Sequence, residues 1–384
     1  MTEENQNLNN DDQIKHMYNE EIDISLPDEM MIPMPEAVNE GSEAVYQNVI
    51  EDDVDVSFKF AFIGAGQGGS RIVQTFGKLG YNRTAVINTA EQDLNTISLK
   101  NKLCMGDGGA GKQPELAREK FLERKEDILD FMRYSFGEEF DRIMVCAGGG
   151  GGSGSGSVGP LIEAAYDLQV SLNTSSKKVG VILTLPRRSE GEKVHQNAMK
   201  ALAEVNNLKA KGLVSPLILL DNERISELYP NLSISKFWDT ANSSMAGLFH
   251  LYNLTSNKDS SYSSFDKNDY KTILDSGTVA LGVSPVKNWE DPVALSRTVR
   301  DNLKNSLLSG KLDISTGNVA GVIVIAGNEI LDKLPQNHID QALDQLNRIL
   351  RQGSVVHRGI YSGDKSSLII FTAIGGLANP TSYR

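Results

Sequence analysis

Residues 147–156 read Ala-Gly-Gly-Gly-Gly-Gly-Ser-Gly-Ser-Gly, directly after the apolar run Ile143-Met-Val-Cys. A strand runs into a loop almost without side chains, and a helix is predicted to begin near Ser155. Such a loop can turn many backbone N–H groups toward one point, beside the positive end of a helix dipole, and that geometry binds phosphate. A flexible linker has a similar composition, but a linker is not bracketed tightly by a strand and a helix.

The alternation of strand and helix extends in both directions. Phe60–Ile63, Thr84–Asn88 and Leu103–Met105 read as strands. Arg71–Leu79 reads as a helix with Ile72, Val73, Phe76 and Leu79 on one face, and Pro114 opens one long helix to about Tyr134. Arg142–Cys146, Val179–Leu185 and Leu217–Leu220 continue the strands, with helices over Val158–Leu168 and about Gly191–Leu208 between them. This pattern predicts a parallel sheet wrapped by helices. A long helix at about Lys236–Leu254 follows, then a polar loop at 255–266 and a short helix. Strands at Thr278–Val283, Val319–Ala326, Val355–Tyr361 and Ser367–Ile374, with helices at 291–308 and Ile339–Leu350, form a second α/β unit. Its last two strands are close enough in sequence to pair antiparallel. The expected division is an acidic extension over 1–57, a first domain over 58–234, a central helix over 235–256 and a smaller domain over 257–384.

Composition narrows the class. Of 384 residues, 40% are hydrophobic, enough for two cores, and no run of about 20 apolar residues suggests a membrane span. No basic and apolar leader opens the chain, so a cytoplasmic location is expected. The two cysteines, Cys104 and Cys146, lie in strand-like contexts and read as buried free thiols. Five scattered histidines, His16, His195, His250, His338 and His357, give no metal-binding spacing, so no residue is assigned to a metal. Residues 1–57 hold sixteen acids against one base, Lys15, a net of −15 that leaves +3 for the rest. Such an arm reads as a mostly disordered tail. It is either a solvating segment or one that docks on an adaptor or a neighbouring subunit. The near-neutral body shows no basic stripe, so direct nucleic-acid binding is not expected.

Two further glycine-rich turns sit on strand ends: Gly64-Ala-Gly-Gln-Gly-Gly69 and Gly106-Asp-Gly-Gly-Ala-Gly111. The first also fits a dinucleotide oxidoreductase, but such enzymes place an acid at the end of the second strand, where this chain has Asn88-Thr89. Three N–H-rich loops around one site suit a triphosphate.

The ordered set Gly64–Gly69, Asn88-Thr89, Gly109–Arg118 and Gly150-Gly-Gly-Ser-Gly-Ser-Gly156 resembles the tubulin/FtsZ family, with Ser153 where that family has Thr. The likeness continues through Leu185–Gly191, Asp221–Arg224 and Ser264-Phe-Asp-Lys-Asn-Asp269. It implies a Rossmann-like parallel-sheet GTPase domain, a long central helix and a smaller α/β C-terminal domain, with GTP/GDP and Mg²⁺ as cofactors. By this resemblance, Gly66, Gln67, Gly68, Gly69, Gly150, Gly151, Gly152, Ser153 and Gly154 cradle the phosphates, and Asn88 belongs to the same site. Gly109, Ala110 and Gly111 face the γ-phosphate, and Glu190 holds the ribose. An Arg expected four residues after Glu190 is replaced by Val194. Asn222 and Asn242 read the guanine, since an amide offers both donor and acceptor, and Trp238 stacks on it. Trp238 and Asn242 stand four apart and share a helix face; on residue type alone they also read as a core aromatic and a solvated helix residue.

The resemblance also implies that Asp266 and Asp269 polarise the attacking water of the next subunit's nucleotide, with Ser264 in place of the family's Asn. Head-to-tail stacking then builds the catalytic site and yields a filament. On residue type alone, both acids read equally as helix N-caps. The expected function is a polymerising cytoskeletal GTPase that positions phage or plasmid DNA. The alternatives are a division-ring protein and, in another class, a nucleotide-dependent binding module that does not polymerise. The short run after Ile374 and the N-terminal acidic arm favour the first.

Overall fold

The computed structural model describes residues 55–106, 108–231, 233–306, 308, 312–351, 354–363 and 367–378. The expected acidic extension lies outside the described residues except for its last three. Those three are held against the end of the central helix. The Ser57 N–H donates to the Asn253 carbonyl at 3.0 Å, the Ser256 hydroxyl donates to the Ser57 hydroxyl at 2.9 Å, and Asn257 donates to the Asp55 carboxylate at 2.7 Å. Contacts with the body therefore already include Asp55 and Ser57.

The first half alternates β1 (Phe60–Ala65), α1 (Gly66–Lys78), β2 (Thr84–Asn88), α2 (Glu91–Asn95), β3 (Lys102–Cys104), α3 (Pro114–Glu123), α4 (Lys125–Phe136), β4 (Arg142–Gly148), α5 (Ser153–Ser171), β5 (Val179–Leu185), α6 (Glu192–Ala210) and β6 (Val214–Asp221). The short α7 (Asn222–Leu228) leads into the central helix α8 (Ile234–Thr255). The second half comprises α9 (Lys267–Leu274), β7 (Thr278–Val286), α10 (Ala294–Asn305), β8 (Val319–Gly327), α11 (Asn328–Leu331), α12 (Gln336–Ile349), β9 (Val355–Gly363) and β10 (Leu368–Leu377).

Among the described residues the strands make one sheet in the order β3-β2-β1-β4-β5-β6-β7-β10-β8-β9. The two α/β units thus share a sheet, joined where Leu217 of β6 meets Thr278 of β7 in parallel. The expectation that the last two strands pair with each other is corrected. β10 inserts antiparallel between β7 and β8, and β9 runs parallel to β8 at the edge. Burial gives the reason: β10 is apolar and enclosed along nearly its whole length, which suits an interior strand, whereas the first half of β9 is largely open and suits an edge. The expected single helix from Pro114 is also corrected. It breaks at Arg124, where φ is −117° and ψ 24°, and the Arg124 side chain turns back to the Cys104 carbonyl and to Asp127. The apolar spacing from Phe121 to Ile128 is that of an unbroken helix, so periodicity could not reveal the break.

Side-chain alternation along β1 sorts the two faces. Ala61 and Ile63 join a core with Ile128, Met132 and Phe136 of α4, Val158 and Leu161 of α5, and Ala201 and Val205 of α6. Phe60 and Phe62 point to the opposite face, where Phe62 stacks on Phe76 of α1 at 3.9 Å between centroids and Phe60 meets Phe249 of α8 at 5.0 Å. The aromatic run continues to Tyr270 of α9, 6.3 Å from Phe249, and to Phe265, 5.9 Å from Tyr252. The α9 helix is further tied by Arg142. This buried side chain donates to the carbonyls of Ser215 at 2.9 Å and Leu274 at 3.2 Å and pairs with Asp275 at 2.5 Å. Burial pushes the Asp275 carboxyl up, but Arg142 and Lys271 beside it outweigh that and hold it below the ordinary range.

One buried polar node lies within the aromatic face. The Tyr81 hydroxyl sits 3.1 Å from both His250 Nδ1 and Asn253 Nδ2. Burial pushes the His250 pKa down to about 4. An unfolded chain, with an ordinary histidine, takes up the proton first as pH falls, so stability held above pH 6.5 is lost progressively toward pH 4, by up to about 3 kcal/mol. Thermal unfolding across pH 4–7 should therefore show a steeper loss for the wild type than for His250→Gln. Equal slopes would show that the imidazole takes up its proton in the fold at the same pH as in the unfolded chain.

Candidate functional site

Two helices begin at the same place. α1 starts at Gly66 directly after β1, and α5 starts at Ser153 after the glycine run that follows β4. Neither N-terminus has a side-chain cap and neither has an acid in its first turn. Their free N–H groups and positive dipole ends therefore remain available to an anion. A cavity of about 610 Å³ opens against them. Its walls include Gly66, Gln67, Gly68, Gly150, Gly151, Gly152, Ser153, Gly154, Glu190, Asn222, Trp238 and Asn242, twelve of the residues singled out from sequence.

The glycines divide into two kinds. Gly66 has φ +69°, and a Cβ there would lie 2.7 Å from the Gly154 nitrogen. A Cβ on Gly154 would meet the Gly148 carbonyl oxygen at 2.6 Å, whereas one on Gly151 would meet nothing within 4 Å. Gly66 and Gly154 thus let backbones touch, and Gly151 leaves the cavity open. Gly69 does not line the cavity, because its Cα is pressed against β4, with a Cβ position 2.1 Å from the Cys146 oxygen.

Four other expected residues stand behind the wall. Asn88 is fully buried; it donates to Asp93 at 3.1 Å, and the other Asp93 oxygen takes Gln67 at 3.4 Å. Gly109, Ala110 and Gly111 are not among the lining residues. Ala110 is buried over Gly152, whose Cβ position is 2.8 Å from the Ala110 methyl, so this loop covers the glycine run, and of its described residues Lys112 reaches the cavity. Lys112 takes φ +59°, unusual for a residue with a side chain.

Several further wall and support contacts were not assigned from the sequence. Arg71, Asp93, Lys112 and Thr184 line the cavity. The Thr89 and Ser153 hydroxyls lie 2.6 Å apart, which joins β2 to the start of α5. Asn197 of α6, buried, donates to the carbonyls of Lys112 at 3.1 Å and Gly150 at 3.3 Å and so ties two loops together. A polar residue on the buried stripe of an amphipathic helix is the one sequence cue to Asn197. Val194, where the resemblance expects an Arg, fills space against Gly150, whose Cβ position is 2.3 Å from its methyl.

At the far end of the cavity, Trp238 and Asn242 project from α8 and Asn222 opens α7. Asn222 is 4% exposed and its Oδ1 has no hydrogen-bond partner among the described residues. A buried amide oxygen left unpaired costs about 1–3 kcal/mol, which a ligand N–H would relieve. A flat heterocycle with ring N–H donors fits this pocket, and an anionic tail fits the helix N-termini. The two acids in the wall are already engaged: Asp93 as above, and Glu190 by the Arg187 N–H at 2.8 Å. Among the described residues no group of three acid, histidine or cysteine side chains could hold a metal.

Asp266 and Asp269 lie outside this cavity, at the start of α9. Asp266 Oδ1 accepts the N–H groups of Asn268 at 2.7 Å and Asp269 at 2.9 Å, and Asp269 Oδ2 accepts the Asp266 N–H at 3.1 Å. The pair forms a reciprocal cap. Ser264 bonds within its own loop, its hydroxyl taking the Ser260 N–H at 3.2 Å.

Fold and cavity together describe a site suited to a nucleotide, with helix N-termini for phosphates and amides for a heterocycle. Residues 59–230 match the tubulin/FtsZ family, GTPase domain, and the chain carries a domain of that family. Over 287 residues it is 27% identical to the tubulin-like protein TubZ of Bacillus cereus, an alignment covering 67% of this chain and 63% of that protein. It is 26% identical over 298 residues to cell division protein FtsZ 2 of Methanocaldococcus jannaschii, covering 74% and 71%. The GTPγS-form protofilament structure of TubZ from Bacillus thuringiensis serovar israelensis superposes with a TM-score of 0.72 at 20% identity, over 85% of this chain and 89% of that one. Among the described residues no helix is long and apolar enough to cross a membrane.

The two kinds of glycine give a direct test of the site. Gly154→Ala should cost about 1–3 kcal/mol in denaturant unfolding, because backbone must move. Gly151→Ala should leave stability unchanged and weaken nucleotide binding by crowding the cavity. Equal stability of both variants would contradict the packing described.

Proposed function

We propose that this chain is a GTP-dependent, filament-forming cytoskeletal GTPase whose hydrolytic site is completed by a second copy. The observation that carries the reading is the separation of parts. One cavity gathers two uncapped helix N-termini with Asn222, Trp238 and Asn242, while the acids suited to directing water, Asp266 and Asp269, stand outside it. Both acids in the wall already accept hydrogen bonds within the protein, Asp93 from Asn88 and Gln67 and Glu190 from the Arg187 N–H.

In this reading the α1 and α5 N-termini hold the phosphates, with Gln67, Ser153, Arg71 and Lys112 around them. Asn222 and Asn242 pair with guanine over the Trp238 ring, and Glu190 takes the ribose. The neighbour's Asp266 and Asp269 orient a water for attack on the γ-phosphorus, the bond to the β,γ-bridging oxygen breaks, and GDP and phosphate result. Keeping the acids away from the triphosphate until subunits stack avoids repulsion during binding. A contact of this head-to-tail kind does not close and extends into a filament. The TubZ structure on which this chain superposes is a protofilament, which is consistent with self-association.

We favour a role in positioning plasmid or phage DNA inside a cytoplasm, since TubZ is matched in both sequence and fold. The FtsZ 2 match keeps a division ring as the second reading. A fluorescent fusion tracking a low-copy DNA would support the first, and a mid-cell ring the second. The acidic arm would hold on to an adaptor or a neighbouring subunit.

Turnover per subunit should rise steeply with protein concentration; a flat value would remove the assembly-coupled mechanism. Asp269→Ala should keep GTP affinity, lower hydrolysis by ~10²-fold or more and lengthen polymer lifetime. At position 266 the test is Asp266→Asn, because Asn caps a helix as well as Asp does while removing the charge. Full turnover in both variants would end the reading.

A further inference from the structure

We propose that the edge strand β9 is the template that sets the catalytic loop, with His357 as the positioning residue of Asp269. This rests on the reading of Asp269 as an acid lent to the next subunit. Alternation along β9 puts His357, Gly359 and Tyr361 on one face. Each of them meets the loop. His357 Nδ1 lies 2.6 Å from Asp269 Oδ1. The Tyr361 hydroxyl accepts the Phe265 N–H at 2.8 Å and donates to the Phe265 carbonyl at 3.2 Å. Between them, a Cβ on Gly359 would stand 2.7 Å from both the Phe265 Cβ and the Tyr361 ring, so the loop lies directly on the strand.

Both oxygens of Asp269 therefore have partners: Oδ1 has His357 and Oδ2 has the Asp266 N–H. Rotation of the carboxylate is removed. The imidazole is itself fixed, edge-on to the Phe265 ring at 6.5 Å between centroids, with its Nε2 buried and unpaired among the described residues. A ring that donates from Nδ1 to Oδ1 holds the Asp269 carboxylate in one orientation. A partly exposed carboxylate without that partner would sample several rotamers, and each subunit contact would have to order it again. Misplacement of a reacting group by about 1 Å can cost on the order of 10²-fold in rate. None of these groups touches the chain's own nucleotide cavity.

The test uses the full chain with His357→Ala, His357→Leu and His357→Asn, reading GTP affinity below the assembly concentration and turnover in assembled protein. Leu fills the ring's place against Phe265 but cannot donate; the Asn amide nitrogen can reach the same oxygen. Ala and Leu should lower turnover by on the order of 10- to 100-fold with GTP affinity unchanged, and Asn should restore most of it. Tyr361→Phe should lower turnover in the same way. Wild-type turnover in His357→Leu, or an Asn variant as slow as Leu, overturns the proposal. Asp269→Ala measured alongside separates the two ideas. If it hydrolyses GTP normally, the lent-acid reading fails. If it is slow while His357→Leu is not, only the template fails.

Discussion

No side chain fits between Gly66 and Gly154, and the rest of the molecule is arranged around that contact. The Cβ position on Gly66 is 2.7 Å from the Gly154 nitrogen, and the one on Gly154 is 2.6 Å from the Gly148 oxygen. Three backbone segments, the end of β1, the end of β4 and the first turn of α5, therefore touch without intervening atoms. Only that approach brings two helix N-termini to one cavity, where their partial charges add. The supports reinforce it: Thr89 holds Ser153, Asn197 bridges the carbonyls of Lys112 and Gly150, and Val194 wedges against Gly150.

A second constraint connects this centre to α9. The Phe60 and Phe62 face of β1 reaches α1 through Phe76 and α8 through Phe249, and α8 reaches Tyr270 and Phe265. Arg142 adds a polar tie from the start of β4 to both sides of the β6–β7 seam. Because β6 and β7 meet at one register pair, these side-chain ties, more than ladder hydrogen bonds, hold α9 at a fixed place relative to the nucleotide cavity. Removal of one partner of a buried pair such as Arg142–Asp275 is costly, since the other charge stays behind unpaired. Asp266 and Asp269 depend on such a frame, for they do not line the cavity that could otherwise locate them.

Much of this was legible in the chain. Alternation of strand and helix gave the parallel sheet, and the glycine runs pointed to the wall where α1 and α5 begin. The spacing of Trp238 and Asn242 put both on one side of α8, facing the cavity. Composition and periodicity could not separate a glycine that cradles from one that packs. Gly69 and Gly151 look alike in sequence, yet the first is pressed on Cys146 and the second borders open space. Nor could they foresee Lys112 as the part of its loop that reaches the cavity, or the break at Arg124 inside a regular apolar period.

The sequence by itself determined the local features: which segments are strands and helices, where the chain can turn without a side chain, and which residues carry amides, acids and aromatic rings. These depend on neighbours a few positions away, through apolar period and backbone freedom. The tertiary structure alone decided the meetings between distant parts. It inserted β10 between β7 and β8, joined the two α/β units in one sheet, and laid residues 264–269 on His357 and Tyr361 nearly a hundred positions later. Such pairings are settled by which buried surfaces and hydrogen bonds are satisfied together, a property of the packed whole that no local window contains.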